Sequence, residues 1–427
     1  MKALYKTLLA SAVAAGIAIP ASSYATNGIF LIGYGAKARA MGGAQVAMAK
    51  DAVDAAINPA AATYSGNRLD AGLMVINPQR RAACCLAPDG IVSEGPYYYI
   101  PNMAGTMKYT DDITLGFGFM GYGGGGTRYK PSIFSSNTPD GYTGIRYELG
   151  VMSPSIAYKV DDTQSVGVAL LIGIQRFNVD GLHAFTRFSR YPDSVTSNGF
   201  SWSYGAGVRL GWQGHYMDDK LSLGASYSST IYMSEFDEYK GLFADKGKMD
   251  VPGNIILGLA YKPMDDLTIA FDWQHTFYED VAAIGNRTLP VSASGDPTDP
   301  NLMGQPTGPG FGWTDQDIFK LGAEYQWDSQ WTIRAGVNYG ASPIRDETGG
   351  GEFEVNVVAP AVTTLHFTAG GSYQLDQQQE ISFAFMYAPA NKETQQISAD
   401  TDLPFSDQLI ELEMRQYAIE VSYGYNF

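Results

Sequence analysis

The sequence has 427 residues, of which 45% are hydrophobic and only 17% charged, with 49 glycines and aromatics led by 28 tyrosines. Its formal net charge of −16 argues against nucleic-acid or anionic-lipid partners. Two cysteines and four scattered histidines leave no spacing that would hold a metal, and no cofactor is expected.

The chain begins MKALYKTLLASAVAAGIAIPASSYA, in which Lys2 and Lys6 precede an apolar stretch from Leu8 to Ile19 and a small-x-Ala site at Ser23-Tyr24-Ala25. This reads as a secretory leader over residues 1–25, with Thr26 as the mature N-terminus. No cysteine follows the site, so a lipoprotein is not expected. Losing Lys2 and Lys6 takes the net charge from −16 to −18. No later stretch has the ~18 consecutive apolar residues of a membrane helix.

Residues 26–67 are Ala-rich with few β-branched residues and no strand pattern. Ala44 to Ala56 reads as a short helix, stopped near Asn58-Pro59 because a proline disfavours helix at the residue before it. The segment is too apolar for a disordered tail, and ahead of a barrel its economical place is inside, as a plug. Gly33, Gly35 and Lys37 do not have the spacing or the strand-loop-helix frame of a phosphate loop.

From Arg68 the pattern changes to period two. A first strand (RLDAGLMVIN) is followed by six hairpins. Their turns are Asp111-Asp112, Asp161-Asp162-Thr163-Gln164, Asp218-Asp219-Lys220, Asp265-Asp266, Asp328-Ser329-Gln330 and Asp376-Gln377-Gln378-Gln379. Long, irregular loops separate the hairpins. The last strand closes on EVSYGYNF, where Phe427, Tyr425, Tyr423, Val421, Ile419 and Tyr417 share one face. Short turns on one side, long loops on the other and an even strand count predict a 14-stranded antiparallel transmembrane β-barrel over residues 68–427.

Parity assigns the faces. Leu257, Leu259, Tyr261, Leu267, Ile269, Phe271 and Trp273 face lipid, as do Phe319, Leu321, Tyr325, Trp327, Trp331, Ile333 and Tyr339. Tyr261, Trp327, Trp331 and Tyr373, nearest the turns, fall in an aromatic girdle. Facing inward are Lys108, Arg209, Asp272, Lys320, Glu324, Arg334, His366, Glu380 and Glu420, which either cross-link the wall or line a polar path. The neighbouring Cys84 and Cys85 have Cα atoms ~3.8 Å apart, which strains any bond between them. A vicinal disulfide and two thiols both stay open, since export permits either.

Several features then converge. A Gly/Ala-rich leader carries Met41-Gly42-Gly43 and Asn58-Pro59-Ala60. Fourteen strands follow, with the blocks EFDEYKGLFADKGKMDVPGNIILGLAY (235–261) and FKLGAEYQWDSQWTIRAGVNYGASPI (319–344) and an aromatic C-terminus. Over essentially the whole mature chain this resembles the FadL/TodX family of outer-membrane transporters for hydrophobic compounds.

The resemblance implies a monomeric, multi-pass bacterial outer-membrane protein among membrane lipids and lipopolysaccharide. Its action would be passive uptake of long-chain fatty acids or related hydrocarbons, with monoaromatic hydrocarbons as the alternative. The implied path is loop capture, a pocket, movement of the hatch around Asn58, Pro59 and Ala60, and lateral exit through the wall. Ile29 and Phe30 would approach the pocket. Capture would use the outer loops. Ser234 can cap a helix on which Phe236, Tyr239, Leu242 and Phe243 form one stripe, and Phe185 and Phe188 stand beside Arg187, Arg190 and Tyr191. The same stripe also fits an internal packing face.

In this family the third strand is kinked to open the wall, and Gly121, Gly123, Gly124, Gly125 and Gly126 fall there. The same glycines also fit the start of an outer loop. Arg176 resembles a carboxylate-binding arginine, yet its parity is that of lipid-facing Val166, Val168, Leu170, Ile172 and Ile174, so it reaches the lumen only through a bulge. A general porin is opposed by the plug. An enzyme is opposed by the absence of HExxH, GxSxG or a legible Ser/His pairing. A surface adhesin stays open.

Overall fold

The computed structural model describes residues 27–427 except 96, 137, 347–350 and 402. The expected leader, residues 1–25, lies outside the described residues.

In three of the six turns the leading aspartate closes the turn through its own side chain. Asp161 accepts from Thr163 N and Gln164 N at 2.7 and 2.8 Å, Asp328 from Gln330 N and Trp331 N at 2.8 and 2.7 Å, and Asp376 from Gln378 N and Gln379 N at 2.8 Å each. An aspartate that satisfies two backbone donors leaves the chain no choice but to reverse. The strands so joined are β1 (Arg68–Cys84), β2 (Tyr98–Lys108), β3 (Ile113–Tyr129), β4 (Thr143–Met152, continued by Ser155–Lys159), β5 (Gln164–Asp180), β6 (Ser201–Tyr216) and β7 (Leu221–Ser228). The second half is β8 (Asn254–Met264), β9 (Leu267–Thr276), β10 (Gln316–Gln326), β11 (Trp331–Gly340), β12 (Leu365–Gln374), β13 (Gln379–Gln396) and β14 (Leu409–Asn426).

Every neighbouring pair is antiparallel. β1 pairs with β14 from Arg68↔Asn426 to Ala83↔Glu411, which closes a fourteen-stranded barrel. Two shorter strands lie outside this count: Ala87–Val92 folds back on the tip of β1, and Tyr232–Met233 pairs with β6. Closure removes the free edges that lipid cannot satisfy. The alternation holds as read: Ile419, Val421 and Tyr423 are exposed outward, whereas Gln416, Ala418 and Glu420 are buried inward.

The hatch fills the lumen with two short helices, α1 (Ala36–Ala40) and α2 (Ala52–Ile57), followed by the turns Pro59–Ala61 and Ala62–Ser65. The helix expected over Ala44–Ala56 is therefore corrected to α2 alone. Asp51 caps it, accepting from Val53 N and Asp54 N at 3.0 and 3.1 Å. The residues before it are not helical because the bond a helix would make from Lys50 N to Val46 O is replaced: Val46 O accepts from Asn58 at 2.7 Å and Lys50 N donates to Asp54 at 2.9 Å, while Gln45 N and Val46 N donate to the Asp272 carboxylate of β9 at 2.8 and 3.0 Å. After α2, Asn58 accepts from Ala60 N at 3.2 Å and starts the next turn at Pro59.

Room for the hatch comes from missing side chains. A Cβ on Gly118 would come within 2.5 Å of Ala56, on Gly211 within 2.7 Å of Pro59, on Gly224 within 2.2 Å of Val46, on Gly322 within 2.5 Å of Met41 and on Gly370 within 2.8 Å of Ala40. These glycines sit on β3, β6, β7, β10 and β12, so the hatch touches the bare wall nearly all the way round. Gly224→Leu is expected to leave an inserted, heat-modifiable barrel while loosening the hatch by about 1–3 kcal/mol, the usual cost of overpacking. Limited proteolysis near Val46 checks this, with faster cleavage expected in the variant.

Candidate functional site

The inward charges of the wall hold the hatch. Arg39 pairs with Glu420 of β14 at 2.5 Å, Lys37 with Glu380 of β13 at 2.6 Å, and Lys50 with Glu324 of β10 at 2.5 Å. Glu420 also accepts from Asn102 of β2 at 2.6 Å, and Arg209 of β6 donates to the carbonyl of Ala56 at the end of α2. Arg334 supports Glu324, and Lys320 donates to Gln274 at 2.8 Å. Lys108 stands apart at the turn end, paired with Asp111. Asn58 donates to the carbonyls of Val46 and Trp212, at 2.7 and 3.0 Å, and so ties the hatch to itself and to β6.

Above the hatch the lumen turns apolar. On β4, Ile145, Tyr147, Leu149 and Val151 all point inward and are buried. Two cavities lie here. The inner one, with an empty volume of about 640 Å³ including its mouth, rests on Gly28, Ile29 and Gly124–Gly126, with Tyr147, Met249, Ile284, Trp313 and Met414 around it. The outer one, with an empty volume of about 720 Å³ including the solvent at its mouth, is bounded by Phe134, Phe185, Phe188, Leu242, Val291, Met303 and Leu403. Ile145, Phe177, Phe243 and Phe311 belong to both walls, so the two spaces are neighbours with these four side chains between them.

The floor of the inner cavity is the start of the hatch. Asn27 and Phe30 close a tight turn, and Tyr278 pins it, donating to Asn27 O at 2.8 Å and accepting from Ile29 N at 3.2 Å. Phe30 stacks on Tyr278 and meets Tyr122 edge-on at 5.4 Å. This turn also touches the glycine run, which lies within β3 and not in an outer loop. β3 pairs with β2 only as far as Met120, opposite Asn102, and a bulge between Gly121 and Gly123 follows. Beyond it Gly123 bridges Phe30, Gly124 N donates to Ile29 O at 2.9 Å, and Gly126 O accepts from Arg80. The upper part of β3 has thus left its neighbour in the wall for the hatch.

The residues expected to capture substrate divide. Leu242, Phe243, Phe185 and Phe188 line the outer cavity. Phe236 and Tyr239 pack around Phe177, with centroids at 5.6 and 4.9 Å, and line neither cavity. The helix expected from Ser234 does not form. A single turn spans Asp237–Tyr239, because bridges Ile231↔Val251 and Glu235↔Lys248 fold the loop on itself and Asp245 and Lys246 are left-handed.

Arg176 is corrected as well. No bulge turns it inward, so it stays on the outer face, held by Glu148 at 2.6 and 2.9 Å, and contacts no cavity. Cys84 and Cys85 are free, buried thiols at the bend after β1. Tyr278 and Trp313 went unread in the sequence because they stand singly in irregular loops. The inward apolar run of β4 was the available signal.

Behind the outer cavity a short helix, Glu352–Asn356, presents Val355 to the space and buries Glu354. Burial pushes the Glu354 carboxyl up to about 8, against a pull downward from the Phe405 N–H and Arg187.

Residues 8–427 match the family described as outer membrane protein transport protein (OMPP1/FadL/TodX). No curated protein sequence matches the chain. Among solved structures, a FadL homologue of Pseudomonas aeruginosa is similar at 14% identity and a TM-score of 0.70, covering 94% of this chain and 100% of its own. The Pseudomonas putida toluene transporter TodX aligns at 20% identity and 0.65, covering 94% and 100%. The Ralstonia pickettii toluene transporter TbuX aligns at 19% and 0.62, covering 93% and 99%. At these identities the likeness is one of fold.

A carboxyl raised by burial favours the folded loop while protonated. Its contribution is present below the ordinary carboxylate range and is lost as pH rises through about 8. The loop around Glu354 is therefore expected to be cleaved faster by protease at pH 9 than at pH 6, and Glu354→Gln is expected to remove most of that difference.

Proposed function

The chain belongs to the FadL/TodX family and transports hydrophobic compounds across the outer membrane as a channel and not an enzyme; from that premise we propose that its substrates are uncharged hydrophobic molecules of monoaromatic size. The observation that carries this reading is the pair of adjacent apolar cavities. Among the described residues no charged side chain lines the outer cavity, and the one cation lining the inner cavity, Arg80, is engaged with Gly126 O and, at 3.1 Å, with Tyr98 OH. A carboxylate entering the outer cavity would be desolvated without a partner, whereas a hydrocarbon loses only water it does not need.

On this reading the outer loops take the molecule up between Phe185, Phe188 and Leu242. It passes between Phe177, Phe243 and Phe311, whose side chains separate the cavities and would have to turn aside, and comes to rest against Ile29. Downward, the ion-paired hatch blocks it. Sideways, β3 has already parted from β2 at Gly121–Gly126, and exit there leads to the membrane. No energy-coupling segment is invoked, so movement follows the gradient. A second reading keeps long-chain fatty acids, with Arg80 turning from Gly126 to the head group.

Uptake in a strain lacking its own hydrophobic-compound transporter separates these readings, using labelled toluene, oleate and a polar sugar. Toluene alone is expected to enter. Entry of oleate alone, abolished by Arg80→Gln, would favour the second reading, and sugar entry would indicate a porin. Gly125 provides a sharper check, since a Cβ there meets nothing within 4 Å while the residue lines the inner cavity. Gly125→Phe is expected to fold and insert normally yet lose most toluene uptake. Unchanged uptake would place the path elsewhere.

A further inference from the structure

The outer face of β4–β6 changes character over a single rung. Along β5 the outward residues are Val166, Val168, Leu170, Ile172 and Ile174, and then Arg176. Along β6 the outward residues run from Trp212, beside the short turn, through Leu210, Val208 and Ala206 to Tyr204 and Trp202. Ten residues of a strand tilted ~40° span about 25 Å, the height of the apolar band of such barrels. Trp212 and Trp202 therefore mark its two edges, and Arg176, paired opposite Trp202, lies at the extracellular one.

Two guanidiniums gather at that edge. Arg176 lies 4.6 Å from the ring centre of Phe200 and 5.6 Å from that of Trp202, and exposed Arg146 lies 5.5 Å from the same Phe200. Glu148 neutralises Arg176 and fixes its plane through two hydrogen bonds, while Arg146 stays exposed with Asp180 as its acidic neighbour one rung along β5. At the same end, the β9–β10 side of the wall is anionic: His275 lies between Asp315 and Asp317, at 3.5 and 2.9 Å, and Trp273 donates to Asp317. The guanidiniums and aromatics thus gather on one side of a strongly acidic protein.

We propose that this edge is a binding site for a phosphate of lipid A in the outer leaflet. The acyl chains would lie along Ile174, Tyr204 and Leu170, and the phosphate would be taken by Arg146 beside the Arg176–Glu148 pair. Three features suit that partner. The site is at head-group depth, it offers guanidinium donors to a phosphate, and it adjoins an apolar wall of acyl length. A soluble anion would need only the first two. The site shares no residue with the cavities except through the backbone of β4 and β5, so it stands independently of the substrate reading.

The test uses the full purified protein in detergent, with binding of lipopolysaccharide followed by native mass spectrometry. One basic residue near a charged membrane surface contributes roughly 1 kcal/mol, so Arg146→Ala is expected to weaken binding roughly fivefold. Arg146→Glu should weaken it further. Enzymatically dephosphorylated lipid A should bind the unaltered protein about as weakly as lipopolysaccharide binds Arg146→Ala. The proposal is overturned if Arg146→Glu binds normally or if dephosphorylation changes nothing. It also fails if phosphatidylglycerol competes as well as lipopolysaccharide. The same holds if Arg415→Glu, an exposed cation on β14, reduces binding as much as Arg146→Glu.

Discussion

A hatch inside a closed barrel has no water to satisfy its backbone and no spare volume to occupy, and the wall must supply both partners and room. The partners are the inward charges, and the room is the absence of Cβ atoms. Asp272 takes two hatch N–H groups, Arg209 takes the carbonyl at the end of α2, and Glu420 holds Arg39. Between these contacts the strands present glycine. Pairs as buried as Arg39–Glu420 cost desolvation that their attraction only partly offsets, so their contribution is to position more than to stabilise. A hydrophobic hatch of the same volume would stay in place too, but it would offer a hydrocarbon a continuous oily path downward.

The boundary between grip and cavity falls at the Asn27–Phe30 turn. Below it the lumen is polar and filled; above it the inward faces of β4 and β5 carry Ile145, Tyr147, Leu149, Phe177 and Val179. The turn belongs to both regions, since Ile29 lines the inner cavity while its backbone holds Gly124. A ligand pressing on Ile29 therefore presses on the strand that has parted from β2. Tyr278, packed edge-on against Trp313 at 5.2 Å, resists that pressure from the loop side. On the transport reading, the hatch turn stands where β3 has parted from β2 and is held there by a few hydrogen bonds, a small enough barrier for a ligand without an energy source.

Strand order, turn positions and facing were legible because a barrel repeats one rule fourteen times, and each Asp-led turn resets the register. The hatch was legible as a plug from its composition, but α2 was overdrawn, since nothing in Val46 or Lys50 shows that Asn58 and Asp54 will claim the carbonyl and the N–H that a helix would join. The glycine ring was hidden for a related reason: a glycine has no side chain to declare its face. Phe236, Tyr239, Leu242 and Phe243 misled because spacing of three and four also arises when a loop collapses around one ring, here Phe177. Arg176 was the reverse case, for its parity stated its position correctly and the functional resemblance pulled against it.

That parity carries more than the one residue. Along Val166 to Ile174 the alternation is apolar outward, with small or polar side chains among the inward ones; from Arg176 onward it is inverted, with Arg176 and Asn178 outward and Phe177 and Val179 inward. The period never changes, only its sign. Inversion is what two exchanges of solvent demand at one height: outside, acyl chains give way to head groups, and inside, the polar hatch gives way to an apolar cavity. A net charge of −16 conceals this, because totals carry no position. The stretch Ile174-Gln175-Arg176-Phe177 thus fixes the outer edge of the membrane and the mouth of the cavity together, and a shift of either along β5 would move the other with it.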